Sequence, residues 1–226
     1  MSSKQTVECA KPVVITPDNY SVKKLSIKSL SDTVRKQDKP MKMCHLEHSE
    51  CEMFIETPEI ELGPYGVNIY ENTKTIRLPV ENVGDDFKKL IDRLEKYCEN
   101  NQDDIIKATF DEDKPDEFEY KSFAKQSDNE MYPSYYKVTV GYADAIYPSV
   151  FRKNEKGKIE RDESIKTEED LRKAVPKGSV VKMIISPKIW IDAKGHYGLS
   201  ASCRQLLIVK EGKHNKDTIT ESLFSA

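Results

Sequence analysis

The stretch that decides the fold is VVKMIISPKIWIDAKGHYGLSASCRQLLIV, residues 180–209. Apolar and polar residues alternate along two runs of this stretch, which is the pattern of half-buried β-strands. Between the runs lies KGHYG, residues 194–198, whose two glycines give the backbone the freedom that a tight turn needs. The stretch therefore predicts two long strands joined by a turn.

A period of two assigns each side chain of the first strand to a face. Val181, Met183 and Ile185 share one face, and Val180, Lys182 and Ile184 share the other. Pro187 cannot donate to a β-ladder, so we expect it at a sheet edge or a bulge. Beyond it, Ile189 and Ile191 lie on one face and Lys188, Trp190 and Asp192 on the opposite one. The only tryptophan of the chain is thus predicted on a polar face.

Residues 180–216 hold seven basic and two acidic side chains, a local charge of +5 in a chain of net charge −3. Aromatic rings beside cations on a strand surface can hold single-stranded nucleic acid. The same pattern also fits an ordinary amphipathic hairpin, in which Trp190 covers one end of a barrel and the lysines are solvated. The residues alone leave both interpretations open.

A tyrosine-rich strand is predicted over residues 135–142. Alternation places Tyr136, Val138, Val140 and Tyr142 on one face, where packing is the usual role of strand tyrosines. The other face carries Tyr135, Lys137 and Thr139, and Tyr135 with Lys137 repeats the pairing of an aromatic ring with a cation.

The rest of the chain is also mainly β in pattern. Further strands are predicted at Pro12–Thr16, Ser21–Ile27, Met41–Glu47, Met53–Leu62, Val67–Tyr70, Lys74–Val80, Ile105–Phe110 and Glu117–Phe123, with the tyrosine-rich run continuing to Phe151. Glu71-Asn72-Thr73 suits a hairpin turn because Asn tolerates a left-handed backbone. Many short strands and few helices predict a mainly β fold, an OB-like β-barrel with a capping helix and loop insertions.

Two helices interrupt this pattern. Apolar residues recur at three- and four-residue spacing over residues 85–99, behind two aspartates that suit a helix N-terminus. A shorter helix is predicted over Thr167–Val175, with a capping arrangement between Thr167 and Asp170 and a stop at Pro176.

Charged segments suggest the domain limits. We expect an N-terminal extension over residues 1–40, a barrel domain over 41–212 and a polar tail over 213–226. Residues 99–119 carry a charge of −7 and read as an acidic, solvated insertion. Residues 152–166 read as an exposed charged loop. The acidic insertion is a candidate competitor for a basic groove or a docking segment for a partner.

Composition limits the classes of function. The absence of an apolar run of membrane length or of a signal peptide predicts a protein that is neither membrane-bound nor secreted. Five scattered cysteines are expected to be free thiols, several of them buried, in a reducing compartment. The net negative charge argues against a uniformly basic coat for duplex DNA.

Catalytic and metal motifs give no support for an enzyme. The sequence has no GxSxG, Walker or GxGxxG motif. The segment Cys44-His45-Leu46-Glu47-His48-Ser49-Glu50-Cys51 offers four candidate zinc ligands, since Cys44, His48 and Cys51 could supply three and His45 a fourth. However, adjacent Cys44 and His45 would point to opposite faces of a strand. A strand end and turn is the better interpretation, so we expect no metal and no cofactor.

The hairpin SPKIWIDAKGHYGLS, residues 186–200, resembles the single-stranded-DNA-binding proteins of nucleocytoplasmic large DNA viruses. The segment GYADAIYPSVF, residues 141–151, and the helix near Phe87 fit the same family. The resemblance implies an OB-fold core that binds single strands in viral DNA replication, recombination or repair. It also implies a location in the cytoplasm or nucleus of an infected cell, at the viral factory.

The sequence therefore predicts a non-enzymatic protein that binds single-stranded DNA, or RNA, without sequence specificity. Replication or virion proteins are possible partners. The rival hypothesis is a structural or scaffolding virion protein that uses the same β surface for protein contacts. The candidate binding residues are Trp190, Tyr197, Tyr135 and Tyr142 for stacking, Lys182, Lys188, Lys194, Lys137 and Arg204 for phosphates, and His196 for either role.

Overall fold

A computed structural model of the chain describes residues 12–29, 41–70, 73–109, 117–142 and 145–212. This part of the chain forms one β-sheet system with three α-helices, which confirms the mainly β class. The strands, in chain order, are β1 (Val13–Ile15), β2 (Leu25–Ser29), β3 (Met41–His48), β4 (Cys51–Glu56), β5 (Ile60–Glu61), β6 (Val67–Tyr70), β7 (Thr73–Pro79), β8 (Glu119–Tyr120), β9 (Ala124–Lys125), β10 (Tyr135–Tyr142), β11 (Ala145–Ile146), β12 (Ser149–Lys153), β13 (Ile159–Arg161), β14 (Val180–Asp192) and β15 (His196–Lys210). The helices are α1 (Asp85–Asn100), α2 (Gln102–Thr109) and α3 (Glu168–Ala174).

The predicted hairpin forms the centre of the sheet. β14 and β15 pair antiparallel from Val180↔Lys210 to Ile191↔Tyr197, and the turn between them contains Gly195 at φ 84°. The main strand order is β1-β4-β3-β14-β15-β10-β7-β6. Among the described residues this path runs from β1 to β6 without a closing pair, so the core is an open sheet.

Pro187 lies in the interior of the sheet, and the expected edge position is wrong. One side of β14 pairs with β15, and the other pairs with β3 over Lys188–Asp192 and with β4 over Ile184–Ile185. Between these two partners, residues 46–54 of β3 and β4 form a hairpin arm that does not pair with β14 and that turns at Ser49 and Glu50. Pro187 faces the gap where the arm departs, so its missing N–H removes no bond to β3 or β4.

The helices fit the sequence patterns except at one place. The buried residues of α1 are Phe87, Leu90, Ile91, Leu94 and Cys98, the predicted apolar stripe, and α1 contacts β15. α3 begins at the predicted capping box of Thr167 and Asp170. Ile105–Phe110, predicted as a strand, is wrong because residues 102–109 form α2, with Ile105 buried. Residues 110–116 of the acidic segment lie outside the described residues. Among described residues, no helix is long and apolar enough to cross a membrane.

Three further boundaries differ from the sequence prediction. The run Met53–Leu62 is divided into β4 and β5. Ser21–Ile27 begins with a short 3-10 turn at Val22–Lys24 before β2. The charged stretch 152–166 is not a simple loop, because β13 pairs antiparallel with β12, although all of β13 is exposed. The predicted turn at residues 71–72 and the tail at 213–226 lie outside the described residues.

The strands of the N-terminal region join the same sheet. β1 pairs parallel with β4, and β2 pairs antiparallel with β3. Both therefore add to the strands that form the hairpin arm. Residues 1–11 and 30–40 lie outside the described part of the chain.

The segment with zinc-ligand side chains forms the end of β3, a turn and the start of β4, as predicted. Cys44 and His48 are buried on one face of β3, four residues apart, which is about 13 Å along a strand. That separation is too great for one tetrahedral site. Of the described cysteines, Cys44, Cys98 and Cys203 are buried free thiols, and Cys51 on the arm is partly exposed.

Candidate nucleic-acid interface

One face of the sheet carries a row of polar side chains across five strands. Lys188 of β14 lies opposite His45 of β3 on one side and Ser200 of β15 on the other. Val138 pairs with Ala201, which places Lys137 of β10 beside Ser200, and Lys137 in turn pairs with Arg77 of β7. With adjacent strands ~4.8 Å apart, the row is about 19 Å long.

A groove of about 510 Å³ runs through the middle of this face. Ser200 and Ser202 of β15 form its floor. They lie on the same face because alternate residues of a strand point the same way, and their small side chains leave the groove open above them. The side chains that rise around this floor are Trp190 and Lys188 of β14, Lys137 and Tyr142 of β10, and Lys125, Tyr147, Phe123 and Met43 from neighbouring segments. We call this the central groove.

Trp190 lines the central groove, on the face predicted by alternation. Ile189 and Ile191 are both 0% exposed, whereas Trp190 is partly exposed. The indole Nε1–H donates to the carbonyl oxygen of Leu199 at 3.2 Å. This hydrogen bond fixes the ring against β15 and satisfies its only polar atom, which leaves an oriented aromatic surface in the groove.

Three lysines line the central groove: Lys125, Lys137 and Lys188. None of the described residues that line the groove is acidic. Burial lowers the pKa of the Lys188 ammonium, and the nearby Arg204 lowers it further. Burial is also the main cause that lowers the pKa of Lys125, opposed by Glu95 and reinforced by Lys137 and Lys121. Like charges held this close favour an anionic ligand, because a phosphate would relieve their repulsion.

Tyr142 enters the groove through an irregularity in β10. The β10–β7 register shifts between Thr139 and Gly141, so simple alternation fails beyond Val140. The predicted inner-face position of Tyr142 is therefore wrong, and its ring lines the groove with Lys137. A Cβ on Gly141 would lie 2.4 Å from the carbonyl oxygen of Ala145, so only glycine fits at this bulge.

Tyr135 lies on the same face of β10 but outside the central groove. The guanidinium of Arg77 lies 4.4 Å from the centre of its ring, and the ring meets Tyr65 edge-on at 5.4 Å. Tyr135 is thus part of a separate aromatic and basic group on the far side of Lys137.

The structure does not bring Tyr197 to the surface. Its ring is 2% exposed, packs edge-on against Tyr120 at 5.3 Å and donates its hydroxyl to Gln102 Oε1 at 3.0 Å. Stacking of a base on Tyr197 is excluded in this conformation, because both faces of the ring are enclosed by protein.

The remaining predicted cations lie outside the central groove, and three of the four side chains face carboxylates. His196 Nδ1 is 3.0 Å from Asp192 Oδ2, and Arg204 lies 3.5 Å from Glu52. Lys182 pairs with Glu56, and Lys194 lies exposed in the hairpin turn. The ion pairs of Lys182 with Glu56 and of Arg204 with Glu52 therefore offset two of the positive charges counted from the sequence.

Sequence reasoning missed Lys125 and gave no binding role to Tyr147, which is 45% exposed. Lys125 comes from β9, which pairs with the start of β10. The sequence did contain a signal for the groove. In the segment 198–202, the small residues Gly198, Ser200 and Ser202 occupy every second position of a long strand. Such a pattern predicts a depression in the middle of a sheet face.

Comparison with known proteins gives no family for the chain. No protein-family model matches it, and no curated protein matches it. A solved structure of gp2.5, a single-stranded-DNA-binding protein encoded by bacteriophage T7, aligns over 76% of this chain and 98% of that chain at 12% identity, with a TM-score of 0.45. A likeness of this size identifies neither a family nor a function.

Proposed function

We propose that the chain is a non-enzymatic protein that binds single-stranded nucleic acid in the central groove. The observation that carries the proposal is the combination of one oriented tryptophan with three lysines in a groove whose described lining has no acidic residue. Single-strand binding needs both parts, since rings stack on bases and cations meet phosphates.

The proposed roles follow from the placement of the side chains. Trp190, Tyr142 and Tyr147 supply rings for stacking, and Lys125, Lys137 and Lys188 supply the positive charge. No described residue of the groove lining is Asn, Gln or Arg, which are side chains that make bidentate contacts to base edges. Binding without sequence preference is therefore expected.

The biological setting is also a proposal. On the resemblance of residues 186–200 and 141–151 we place the protein in viral DNA replication, recombination or repair, in an infected cell, with DNA as the preferred strand. His196, Lys194, Lys182 and Arg204 lie around the groove rather than in it, and Arg204 acts through its charge on Lys188.

Fluorescence of Trp190 tests the proposal directly, because it is the only tryptophan in the chain. Titration with a thymidine oligomer should quench this emission. Trp190→Ala should lower the affinity, measured by retention on a labelled oligomer, by about 5- to 150-fold, the loss of one stacked base worth ~1–3 kcal/mol. The thermal unfolding curve of the variant should show that the chain still folds.

Two lysine variants distinguish binding in the central groove from a general effect of positive charge. Lys188→Ala should weaken binding, whereas Lys158→Ala, at an exposed site between β12 and β13, should not. Absence of quenching together with no retention at low salt would contradict the proposal. Retention that is insensitive to salt would instead support an apolar, protein-contacting surface.

A further inference from the structure

A second pocket lies on the same face of the sheet, beyond Lys137. It has a volume of about 370 Å³. The loop after β5, the chain before β10 and the end of α3 enclose it around the side chain of Arg77. Its lining includes Tyr65, Tyr132, Arg77, Arg172, Pro176 and Lys177. We call it the distal pocket.

Arg77 is held in place by rings and has an unused donor. Its guanidinium lies 4.4 Å from the ring centre of Tyr135 and 5.7 Å from that of Tyr65. Its Nε atom is buried and has no hydrogen-bond partner in the described part of the chain. A buried donor without a partner is unfavourable, so Nε adds no stability to this arrangement. The guanidinium as a whole lines the pocket and carries a charge that a ligand phosphate could pair with.

Two more cations, Arg172 and Lys177, line the distal pocket. Arg172 and Lys177 make no ion pair within the described residues, and Glu169 on the same helix pairs with Lys173 at 2.7 Å instead. No described residue of the pocket lining is acidic. The distal pocket therefore repeats the charge pattern of the central groove.

The distal pocket also repeats its aromatic component. The ring of Tyr132 is 40% exposed and lies 6.0 Å from that of Tyr65, which is buried and donates its hydroxyl to the carbonyl of Pro133. Tyr65 thus supports an exposed ring beside three cations. A planar base and a phosphate are the ligand groups that match such a site.

The two sites are continuous across β10 and β7. Lys137 lines the central groove, Arg77 lines the distal pocket, and the two residues are directly paired in register. Side chains of a paired position lie on the same face with Cβ atoms about 5 Å apart. A single strand leaving Lys137 therefore meets Arg77 as its next cation.

We propose that the distal pocket binds a further nucleotide of the same single strand, which crosses the sheet from Trp190 over Lys137 to Arg77. The inference rests on the proposed function of the central groove. It gives the bound strand a direction, roughly perpendicular to β10 and β7, and a second stacking ring in Tyr132.

Oligomers of two lengths test the path. Trp190 quenching reports the central groove for a thymidine oligomer of about four nucleotides and for one of about twelve. The double variant Arg172→Ala/Lys177→Ala should bind the short oligomer as the wild type does and the long one about tenfold more weakly. For the long oligomer, the slope of log Kd against log salt should also be smaller by about 1.4 in this variant, because two phosphate contacts at ~0.7 each are lost.

The matched control is Lys158→Ala/Arg161→Ala, which removes the same charge from the exposed hairpin of β12 and β13. Equal affinity of wild type and the Arg172/Lys177 variant for the long oligomer would overturn the distal pocket and leave the central groove intact. An equal loss with both oligomers, or the same loss in the control, would overturn it as well. A failure of the proposed function of the central groove would give a different result: Trp190→Ala would then bind both oligomers as tightly as the wild type does.

Discussion

Gly198 allows two segments to pack closely against β15 because it has no side chain. The carbonyl oxygen of Lys121 lies 2.3 Å from the position that a Cβ of Gly198 would take, and Trp190 Nε1 lies 3.4 Å from it. The Lys121 backbone reaches this position because its N–H donates to the carbonyl of Tyr197 at 2.7 Å. One missing side chain thus permits both the crossing of residues 119–121 over β15 and the position of the tryptophan ring.

Gly198→Ala should destabilise the fold and disturb the central groove. The added methyl must displace the Lys121 carbonyl, and overpacking of this kind costs about 1–3 kcal/mol of unfolding free energy. Ser200→Ala, two residues along the same face, is the matched control and should change stability little. Urea unfolding of both variants gives the comparison, and equal stability of Gly198→Ala and wild type would refute the close crossing.

His48 provides a prediction about pH. It is 4% exposed, and burial, aided by the charge of Lys24, lowers the pKa of its imidazole below 6.5. The unfolded chain therefore takes up a proton at this residue at a higher pH than the folded chain does. Stability should be fully present above about pH 6.5 and fall as the pH is lowered through that value towards the folded pKa.

The comparison is between wild type and His48→Leu. Thermal unfolding between about pH 7 and pH 5 should show a smaller loss of stability in the variant, because this proton uptake is removed. Some loss should remain, since burial also lowers the pKa of His45. Identical pH profiles for the two proteins would show that His48 is not a buried, neutral residue.

At the scale of the elements, one ion pair ties the sheet to a helix. Lys74 of β7 is 2% exposed, and its Nζ lies 3.0 Å from Glu168 Oε2 at the first position of α3. Glu168 also suits the positive end of the helix dipole, next to the capping box of Thr167 and Asp170. Because α3 ends at the distal pocket, this ion pair helps to fix Arg172 relative to Arg77.

Two substitutions distinguish the contribution of the charges of this ion pair to stability from the contribution of its packing. Glu168→Gln should lower the unfolding free energy by about 1–3 kcal/mol, because the buried ammonium of Lys74 loses its ion pair with the Glu168 carboxylate. Lys74→Met keeps the shape and removes the buried charge, so it should be closer to wild type. Chemical denaturation measures both. A larger loss for Lys74→Met than for Glu168→Gln would mean that other contacts of Lys74 dominate.

The elements that the sequence could predict are those decided by local rules. Strict alternation separates Trp190 from Ile189 and Ile191, and a capping pair starts α3 at Thr167. α2 escaped prediction because adjacent β-branched residues, Ile105 and Ile106, resemble a strand, and its packing against β2 and β3 is a tertiary effect. Tyr142 was misplaced because a bulge depends on the partner strand.

The distal pocket could not be predicted from the sequence at all. Its residues come from three separate regions, near Tyr65, near Tyr132 and near Arg172. Only the pairing of β7 with β10 and the position of α3 bring them together. Counting charges along the chain similarly overstated the positive charge of the hairpin. Lys182 and Arg204 pair with Glu56 and Glu52, which are distant in sequence.

At the scale of the whole molecule, a net charge of −3 coexists with a basic face. Long-range attraction of a polyanion is therefore weak, and the proposed binding of a single strand would depend on the short-range contacts of the groove. This combination predicts a protein that discriminates against duplex DNA, whose bases offer no free faces for stacking.

The salt dependence of binding should report the number of cations engaged. Three lysines in the central groove predict a slope of log K against log salt of about −2 for a short single strand, at ~0.7 per phosphate. That slope corresponds to a loss of about 20-fold between 50 and 200 mM salt. Titrations at several salt concentrations measure it, and a slope near zero would be incompatible with phosphate contacts.

The burial of the cysteines makes the hairpin arm a convenient position for a reporter. Burial raises the pKa of Cys44 to about 11 and raises the pKa values of Cys98 and Cys203, so these thiols react slowly. Cys51 on the arm is the partly exposed thiol among the described cysteines. In a Cys9→Ser background a maleimide dye should therefore attach at Cys51, one residue from the Glu52 that pairs with Arg204. Energy transfer from Trp190 to such a dye would report changes in the distance between the central groove and the hairpin arm when an oligomer is added.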